Sequence, residues 1–234
     1  MRNHTVVVGY GTKGRSAVRA LLVDGYPRDQ IVVVDPDPQS VAEATEDGLA
    51  SVLGDATRRS VLEQAQVPLA ARVLVSSNRD DTAVLVVLTV RQLNRTAPIV
   101  SAVREAENAP LVRQSGATSV VVSSEAAGRL LAVSAESPAT GKVLEDLLIP
   151  HTGLEVDERA VTPQEVGRSC RQVSELVLAV LRGGETFRFG AAEAVRLEAG
   201  DRLVVVRDTG VPQDGQVQDP DDTHDPVPGA SDRV

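Results

Sequence analysis

Short runs of Val, Ile and Leu alternate with stretches of helical periodicity through the first 135 residues. The apolar runs predict six strands, at residues 5–8, 31–35, 50–53, 73–76, 99–103 and 120–122. Helices are predicted between and after them, at residues 14–23, 38–47, 59–65, 81–93, 108–114 and 125–134. Strict alternation of strand and helix is typical of a parallel sheet with right-handed crossovers. The pattern therefore predicts an α/β first domain over residues 1–135, a Rossmann-like doubly wound parallel sheet.

The pattern changes after Ser137, where Pro138 and Pro150 interrupt the helical rhythm. Four strands then follow at shorter intervals, at residues 154–161, 176–182, 186–189 and 203–207. Gly183 and Gly184 predict a hairpin turn between the middle two strands, and residues 163–174 carry the one helix expected here. Residues 136–208 are thus predicted to form a second, smaller α+β domain. Residues 209–234, rich in Pro, Gly and Asp, are predicted to be a disordered acidic tail.

Composition makes the core aliphatic and argues against nucleic acid as a partner. Hydrophobic residues make up 42% of the chain, yet it has two Phe, two Tyr and no Trp. Valine-rich runs without aromatics suit strands that are covered on both faces. The net charge is −9, and residues 209–234 hold six Asp against one Arg, so much of that charge lies in the tail. Binding to nucleic acid calls for clustered Lys and Arg instead.

The sequence shows few residue patterns typical of catalysis and no segment typical of a membrane span. Cys170 is the single cysteine, which excludes an internal disulfide and a zinc site built on several thiolates. The three histidines are scattered, at His4, His151 and His224, and no Tyr-x-x-x-Lys pair is present. No apolar run approaches the roughly 18 residues that span a bilayer, and no signal peptide precedes the first strand. We therefore expect a cytoplasmic protein that is not an enzyme.

The clearest motif is a glycine-rich turn, Gly-Tyr-Gly-Thr-Lys-Gly, between the first strand and the first helix. Its members are Gly9, Tyr10, Gly11, Thr12, Lys13 and Gly14. In a G-x-G-x-x-G turn the glycines allow a tight bend, close approach to a pyrophosphate, and close helix–strand packing. Asp35 ends the second strand, 21 positions after the last glycine, where a carboxylate can accept hydrogen bonds from a ribose diol. The motif predicts a bound nucleotide, and the acid disfavours NADP because a 2′-phosphate would be repelled.

Further polar residues follow the later strands, at the same edge of the predicted sheet. Asp55 and Ala56 follow the third strand, Asn78 the fourth and Arg104 the fifth. Ligands of open α/β sheets bind at this carboxyl edge, so these residues are predicted to contact the nucleotide. Arg104 can pair with a phosphate. An alternative interpretation makes each loop a solvated turn, and Asp80 or Asp81 a cap of the fourth helix.

Two functional alternatives remain open at this point. One is an NAD-dependent oxidoreductase or nucleoside-sugar enzyme, for which the small second domain offers little room to hold a substrate. The other is an interaction module whose nucleotide loop is vestigial. Turnover of NADH would favour the first alternative, and oligomerisation without nucleotide binding would favour the second.

Together these residues resemble the regulator of potassium conductance (RCK) domain, also called the KTN or TrkA-type domain. The resemblance extends from about residue 4 to about residue 207. Its most discriminating parts are GDAT and GDRLVVV, at residues 54–57 and 200–206, and they are more specific than the glycine motif within residues 6–14. It also covers residues 31–35, 79–85, 103–117, 127–132 and 177–199. The smaller domain is similar to the RCK_C (TrkA-C) domain that accompanies this family.

The resemblance implies a regulatory module that binds NAD, ATP, ADP or AMP and assembles into rings beneath a potassium channel or transporter. By motif, residues 9–14 would contact phosphates, Asp35 the ribose, Asp55 and Ala56 the base region, and Arg104 a phosphate. Pairing through the helix at residues 125–134 is implied, although packing of that helix on the sheet is an equal alternative. No motif assigns cyclic di-AMP or calcium. The chain is either the cytoplasmic part of a channel or a free subunit, since no pore helix is present.

Overall fold

The computed structural model describes residues 1–149, 153–192 and 196–208. The chain divides into two compact units between residues 150 and 151. The predicted acidic tail, residues 209–234, lies outside the described residues, as does His224. Within the described ranges, no helix combines the length and the hydrophobicity that a membrane span requires.

The first unit contains a six-stranded parallel sheet, as the alternating pattern predicts. Its strands in chain order are β1 (Thr5–Val8), β2 (Ile31–Asp35), β3 (Ala50–Leu53), β4 (Arg72–Val75), β5 (Ile99–Val103) and β6 (Ser119–Val122). The spatial order is β3-β2-β1-β4-β5-β6. Chain direction across the sheet therefore reverses between β1 and β4, and the fold class predicted from sequence is confirmed.

Seven helices accompany this sheet. They are α1 (Thr12–Val23), α2 (Pro38–Glu46), α3 (Arg59–Gln64), α4 (Asp80–Leu93), α5 (Ala109–Gln114), α6 (Ser123–Glu136) and α7 (Pro138–Asp146). Alternate strand residues face opposite sides, so Val7 packs with Val18 of α1 and Ala44 of α2. Val6 and Val8 belong to the larger core on the other side, which α3, α4 and α5 cover. Burial on both faces explains the unbroken valine runs.

The helix α7 differs from the sequence prediction, in which Pro138 was a helix breaker. Pro138 instead occupies the first turn of α7, a position that needs no backbone N–H. Ser137 precedes it, and its hydroxyl accepts a hydrogen bond from the Thr140 N–H at 3.3 Å. A Cβ on Gly141 would lie 2.2 Å from the hydroxyl of Ser134, so α7 packs closely on α6. α7 therefore belongs with the first unit, which extends to residue 150.

The α6–α7 hairpin carries unusually exposed apolar side chains. No residue of α6 is buried, and Leu131 on that helix is 71% exposed. Leu148, just beyond α7, is also 71% exposed, and Val143 and Leu144 within α7 are exposed as well. Exposed large apolar side chains grouped on one hairpin are a feature of interaction surfaces.

The second unit is a four-stranded antiparallel sheet with the order β7-β10-β8-β9. Its strands are β7 (Leu154–Ala160), β8 (Leu176–Arg182), β9 (Glu185–Arg188) and β10 (Arg202–Asp208), and a short helix α8 (Phe189–Ala192) follows β9. Gly183 and Gly184 form the predicted hairpin turn, both with positive φ. One face of the sheet packs Val177, Val180 and Leu203 into a small core.

The prediction of a helix at residues 163–174 is wrong. This segment forms turns and a single 3₁₀ turn at Cys170–Gln172. Side chains there bind nearby backbone groups: Glu165 accepts from the Thr162 N–H at 2.8 Å, and Gln172 accepts from the Ser169 N–H at 3.0 Å. Such local bonds satisfy the backbone without a continuous helix.

A partly buried ion-pair network holds this segment against β7. The Arg159 guanidinium binds both carboxylate oxygens of Glu165, at 2.9 and 2.7 Å, and also pairs with Glu175. The hydrogen bonds from Arg159 lower the pKa of Glu165 to about 2. Arg159, followed by Arg207, also holds the pKa of Glu175 below its usual value.

This network makes the second unit sensitive to acid. A carboxyl whose pKa is depressed on folding stabilises the fold above its unfolded pKa of about 4.3, and that contribution is lost as pH falls toward the folded value. We therefore expect stability to fall between about pH 4.5 and pH 2. Arg159→Met should cost much more stability at pH 7 than at pH 2.5, as measured by urea unfolding. Arg202→Met, which removes an exposed pair with Glu158, is the control. Equal losses for Arg159→Met at both pH values would contradict the assignment.

Candidate functional site

A cleft of about 200 Å³ lies at the carboxyl edge of the parallel sheet, where the strand order reverses. The sequence-predicted residues Gly9, Gly11, Asp35, Asp55, Ala56 and Asn78 all line it. They lie at the end of β2 or in the loops after β1, β3 and β4, so four segments that are distant in sequence meet at one site. Open α/β sheets bind their ligands at such a reversal point.

The glycine turn is held tightly at the floor of this cleft. Gly9 has a φ of +92°, a conformation that side chains rarely adopt. Its carbonyl accepts a hydrogen bond from the Ser76 hydroxyl at 2.8 Å. A Cβ on Gly14 would lie 1.9 Å from that same carbonyl oxygen, so α1 and the end of β1 are in direct backbone contact. Gly14 thus provides close packing and does not line the cleft.

The first turn of α1 offers free backbone donors to the cleft. Gly11 is the N-cap of α1, and no side chain caps the helix. The helix start therefore presents unpaired N–H groups and the positive end of the helix dipole, which together favour an anion. Thr12 and Lys13 lie in this turn outside the cleft lining, and the Lys13 ammonium donates to the Ser77 carbonyl at 3.2 Å.

Asp35 is an acidic residue of the cleft lining that is almost fully buried, at 7% exposed. One oxygen accepts from the Tyr10 N–H at 2.6 Å, and the other accepts from the Asp37 N–H at 2.8 Å. A carboxylate has about four acceptor positions, so two remain for a ligand's hydroxyl groups. Asp35 therefore both fixes the glycine turn and can bind a diol.

Tyr10 does not contact the cleft, contrary to the sequence prediction. Its ring is 2% exposed and packs in the core under α1 and α2. Its hydroxyl donates to Asp47 at 2.6 Å, and burial together with this bond raises the pKa of the phenol well above its usual value. The Tyr10 backbone N–H is committed to Asp35, so it is not a phosphate donor. The Tyr10 ring lies in the core because Val18 of α1 and Ala44 of α2 pack in the same cluster.

The far end of the cleft combines one fixed carboxylate with apolar walls. Asp55 accepts two bonds from Thr57, from its N–H at 2.9 Å and its hydroxyl at 2.8 Å, and these hold the Asp55 pKa below its usual value. The cleft also has apolar lining from Ala56, which adjoins Asp55 in the chain, and from Pro36 and Val86. This apolar lining, which we call the apolar slot, suits a flat base with a polar edge.

Sequence reasoning missed two of the cleft residues on α4. Thr82 and Val86 line the cleft one helical turn apart. Their four-residue spacing puts them on one helix face, and that spacing was the available signal. Arg79, which also lines the cleft, pairs with Asp81 in an exposed ion pair.

Arg104 lies outside the cleft itself, in an adjoining hollow that we call the outer cup. The outer cup is lined by Asn78, Arg79, Asp80, Asp81, Arg104, Glu105 and Asn108. Asn78 and Arg79 line both spaces, so the outer cup continues the cleft toward β5. The alternative in which Asp80 caps α4 does not hold: Arg79 is the N-cap of α4, and Asp80 accepts hydrogen bonds from the segment that follows β5.

Fold and cleft together define a Rossmann-like α/β protein with a cleft beside a glycine-rich turn. No group of three or more His, Cys, Asp or Glu residues in the described ranges is arranged to hold a metal ion. The arrangement offers an anion site, a diol acceptor and an apolar slot in sequence along one sheet edge.

The chain belongs to the TrkA-N domain family, whose model matches residues 5–123. Among curated relatives, potassium channel protein 1 of Methanocaldococcus jannaschii is 24% identical over 80% of this chain and 58% of its own length. The calcium-gated potassium channel TvoK of Thermoplasma volcanium is 26% identical over 63% and 44%. The putative cation/proton antiporter YbaL of Escherichia coli is 25% identical over 61% and 25%. The chain thus spans less than two thirds of each of these relatives.

Solved structures show the same fold. The TrkA-N domain of the E. coli membrane protein ybaL matches 56% of this chain and 95% of its own, with a TM-score of 0.52 and 24% identity. The GsuK RCK domain matches 89% and 45%, with a TM-score of 0.52 and 21% identity. The human SLO3 gating ring matches 87% and 44%, with a TM-score of 0.64 and 13% identity. At these identities the likeness extends to the fold alone.

Proposed function

We propose that this chain is the ligand-sensing regulatory module of a potassium channel or transporter and that its cleft binds an adenine nucleotide. NAD(H), ATP, ADP and AMP are the candidate ligands. The observation that carries the proposal is the position of Asp35 beside the uncapped start of α1. A diol acceptor next to an anion site is what a ribose phosphate requires.

The apolar slot completes the nucleotide assignment. Asp55 and Ala56 lie beyond Asp35, on the side away from the glycine turn, because β3 neighbours β2. A base in the slot, a ribose at Asp35 and a phosphate at α1 follow the order of groups in a nucleotide. Gly11 gives the phosphate room, since a Cβ there would meet only the Asn78 amide, 4.0 Å away.

The regulatory role is inferred from the family and from its named relatives. Two of the curated relatives described above carry the name of a potassium channel and a third that of a cation/proton antiporter. Regulation of ion flux by such a module requires two arrangements that differ in ligand affinity. The proposal includes a location at the cytoplasmic face of the membrane, with a channel or transporter as partner. It also assigns the second unit as the RCK_C domain.

An enzyme is the alternative, and the cleft gives it little support. The residues around Asp35 supply hydrogen bonds and apolar contacts, and the buried His4 binds the Ala65 carbonyl. A regulatory site needs binding alone, which these groups provide. Consumption of NADH by the purified chain with a panel of small carbonyl compounds would favour the oxidoreductase instead.

Thermal unfolding of the purified chain against NAD, NADH, ATP, ADP and AMP tests nucleotide binding. Cyclic di-AMP and calcium belong in the same panel because the cleft does not assign them. A ligand at a hundred times its Kd adds about 2.7 kcal/mol to the folded state, so we expect a clear rise in Tm for adenine nucleotides. No shift with any nucleotide would reject the ligand proposal and favour a nucleotide-independent interaction module.

We further propose that the exposed apolar side chains of the α6–α7 hairpin form the contact between two copies of the chain. The sequence left open whether α6 packs on the sheet, and its lack of buried residues favours the interface. Leu131→Glu is expected to weaken self-association at least tenfold, because a charge would be buried without a partner. Sedimentation equilibrium measures the effect. Val23→Glu, at an exposed apolar residue ending α1, is the control. Equal effects of the two substitutions would contradict the interface.

A further inference from the structure

Asp80 binds the segment that follows β5 through three hydrogen bonds. Its carboxylate accepts from the Arg104 N–H at 2.9 Å, the Glu105 N–H at 3.1 Å and the Asn108 side-chain amide at 2.9 Å. Burial opposes the charge of Asp80, yet these bonds, that of Asn108 foremost, hold its pKa below the usual value. An acid at the start of α4 thus fixes a loop from the neighbouring strand.

The same loop is held from its other side by the start of α6. The Ser124 hydroxyl donates to the Arg104 carbonyl, and the Ser123 hydroxyl donates to the Val103 carbonyl at 3.1 Å. Both backbone polar groups of Arg104 are therefore engaged, one by Asp80 and one by Ser124. The Arg104 guanidinium, by contrast, makes no hydrogen bond or ion pair within the described residues.

The strand order determines which part of a ligand can reach Arg104. Asp55, Asp35, the glycine turn, Asn78 and Arg104 follow β3, β2, β1, β4 and β5, which are consecutive in the sheet. Neighbouring strands lie about 4.8 Å apart, so Arg104 is about three strand spacings from Asp35. A nucleotide with its ribose at Asp35 and its first phosphate at the glycine turn reaches the outer cup only if it continues beyond that phosphate.

We propose that Asp80 is a positioning residue that holds Arg104 in the outer cup and so makes the site prefer nucleotides that extend beyond their first phosphate. This inference rests on the proposed nucleotide function. Asp80 acts through the loop backbone and does not itself contact the ligand. The favoured ligands are nucleoside di- and triphosphates and dinucleotides, and AMP is the ligand that gains nothing from Arg104.

The two roles open to Asp80 differ in the sign of their effect. If Asp80 acted only through its charge, Asp80→Asn would remove a negative group near the phosphates and ADP would bind more tightly. If Asp80 positions Arg104, the same substitution releases the loop and ADP binds more weakly. The NH2 group of asparagine would face N–H donors from which the carboxylate now accepts hydrogen bonds, and a donor cannot bond to another donor.

Titration calorimetry of the full chain with ADP and AMP at constant salt separates these cases. For Asp80→Asn we expect about tenfold weaker ADP binding, from the loss of hydrogen bonds to a charged group. AMP affinity should change by less than about twofold. Arg104→Ala should have the same pattern, and the double variant should lose no more than Arg104→Ala alone. Glu107→Gln, which removes an exposed charge from the same segment but outside the lining of the outer cup, is the control and should not weaken ADP binding.

The ratio of ADP affinity to AMP affinity separates the loss of Arg104 positioning from misfolding, because misfolding would weaken the binding of both nucleotides. Ser124→Ala removes the opposite anchor and should lower the same ratio even if Asp80→Asn does not fold. An unchanged ratio in Asp80→Asn and Ser124→Ala, tighter ADP binding in Asp80→Asn, or additive losses with Arg104→Ala would each overturn the positioning role. If the unsubstituted chain binds AMP and ADP equally well, the proposed function stands and this inference fails. If it binds no nucleotide, both fail.

Discussion

Substituting Gly14 with alanine is expected to destabilise the first unit by about 3 kcal/mol or more and to abolish nucleotide binding. The new Cβ would lie 1.9 Å from the Gly9 carbonyl oxygen and 2.9 Å from the carbonyl carbon. Both are backbone atoms at the end of a buried strand, so they cannot move aside as a flexible side chain would. Either α1 separates from the sheet or the glycine turn loses its shape. Urea unfolding and nucleotide titration measure the two effects.

Gly11→Ala is the matched control because it makes the same chemical change three residues earlier. Gly11 has an ordinary backbone conformation, with a φ of −71°, and its Cβ would meet no atom nearer than 4.0 Å. We expect the free energy of unfolding of this variant to lie within about 1 kcal/mol of that of the unsubstituted chain. It should still bind phosphate-bearing ligands less well, since its methyl group projects into the cleft. A Gly14→Ala variant as stable as Gly11→Ala would mean that the contact between α1 and β1 is looser than described.

Asp35→Ala is expected to weaken adenine nucleotide binding about a hundredfold. Hydrogen bonds to a charged group contribute about 1.5–3 kcal/mol each, and the substitution removes both bonds available to a ribose diol. It also frees the Tyr10 and Asp37 N–H groups, which would loosen the glycine turn. Titration calorimetry with ADP or NAD measures the loss.

Two further variants separate the diol contact from a general loss of charge. Asp24→Ala removes an exposed carboxylate beyond the end of α1 and should leave affinity unchanged. Asp35→Asn keeps the shape of the side chain, and we expect it to lose most of the affinity because its amide would oppose the Tyr10 N–H. The assignment of Asp35 as the ribose acceptor fails if Asp35→Ala and Asp35→Asn bind as well as the unsubstituted chain.

The parallel sheet could be predicted because the composition of each buried strand is itself the signal. Every buried strand of the first unit is a short valine-rich run between polar turns, and this composition has few other solutions. The bounds of α1 to α6 were predicted within two residues from the helical spacing of their apolar positions, whereas α7 was not predicted. The second unit was harder. Residues 163–174 have helical spacing, but Glu165 and Gln172 bind the backbone locally, and that competition depends on geometry the spacing does not carry.

The candidate site divides in the same way between local and long-range causes. Gly9, Gly11 and Asp35 were predictable because a turn, a helix start and a strand end are local features. The direction of Tyr10 was not, since its hydroxyl partner Asp47 lies 37 residues away. The sequence left open that Asp80 or Asp81 caps α4, because a helix start is the usual place for an acidic cap. The actual partners of Asp80 follow β5, and only the sheet brings them within reach.

The burial of Tyr10 beneath the glycine turn gives the protein a natural optical label. The chain has no tryptophan and two tyrosines, Tyr10 and Tyr26, so its near-ultraviolet signal above the phenylalanine bands comes from these two rings. Tyr26 lies elsewhere, under the guanidinium of Arg72, and Tyr26→Phe would leave one emitter in the chain. That emitter is covalently part of the turn and is one hydrogen bond from Asp35. Events at the cleft can therefore be followed by the intrinsic fluorescence of the native turn, with no added dye.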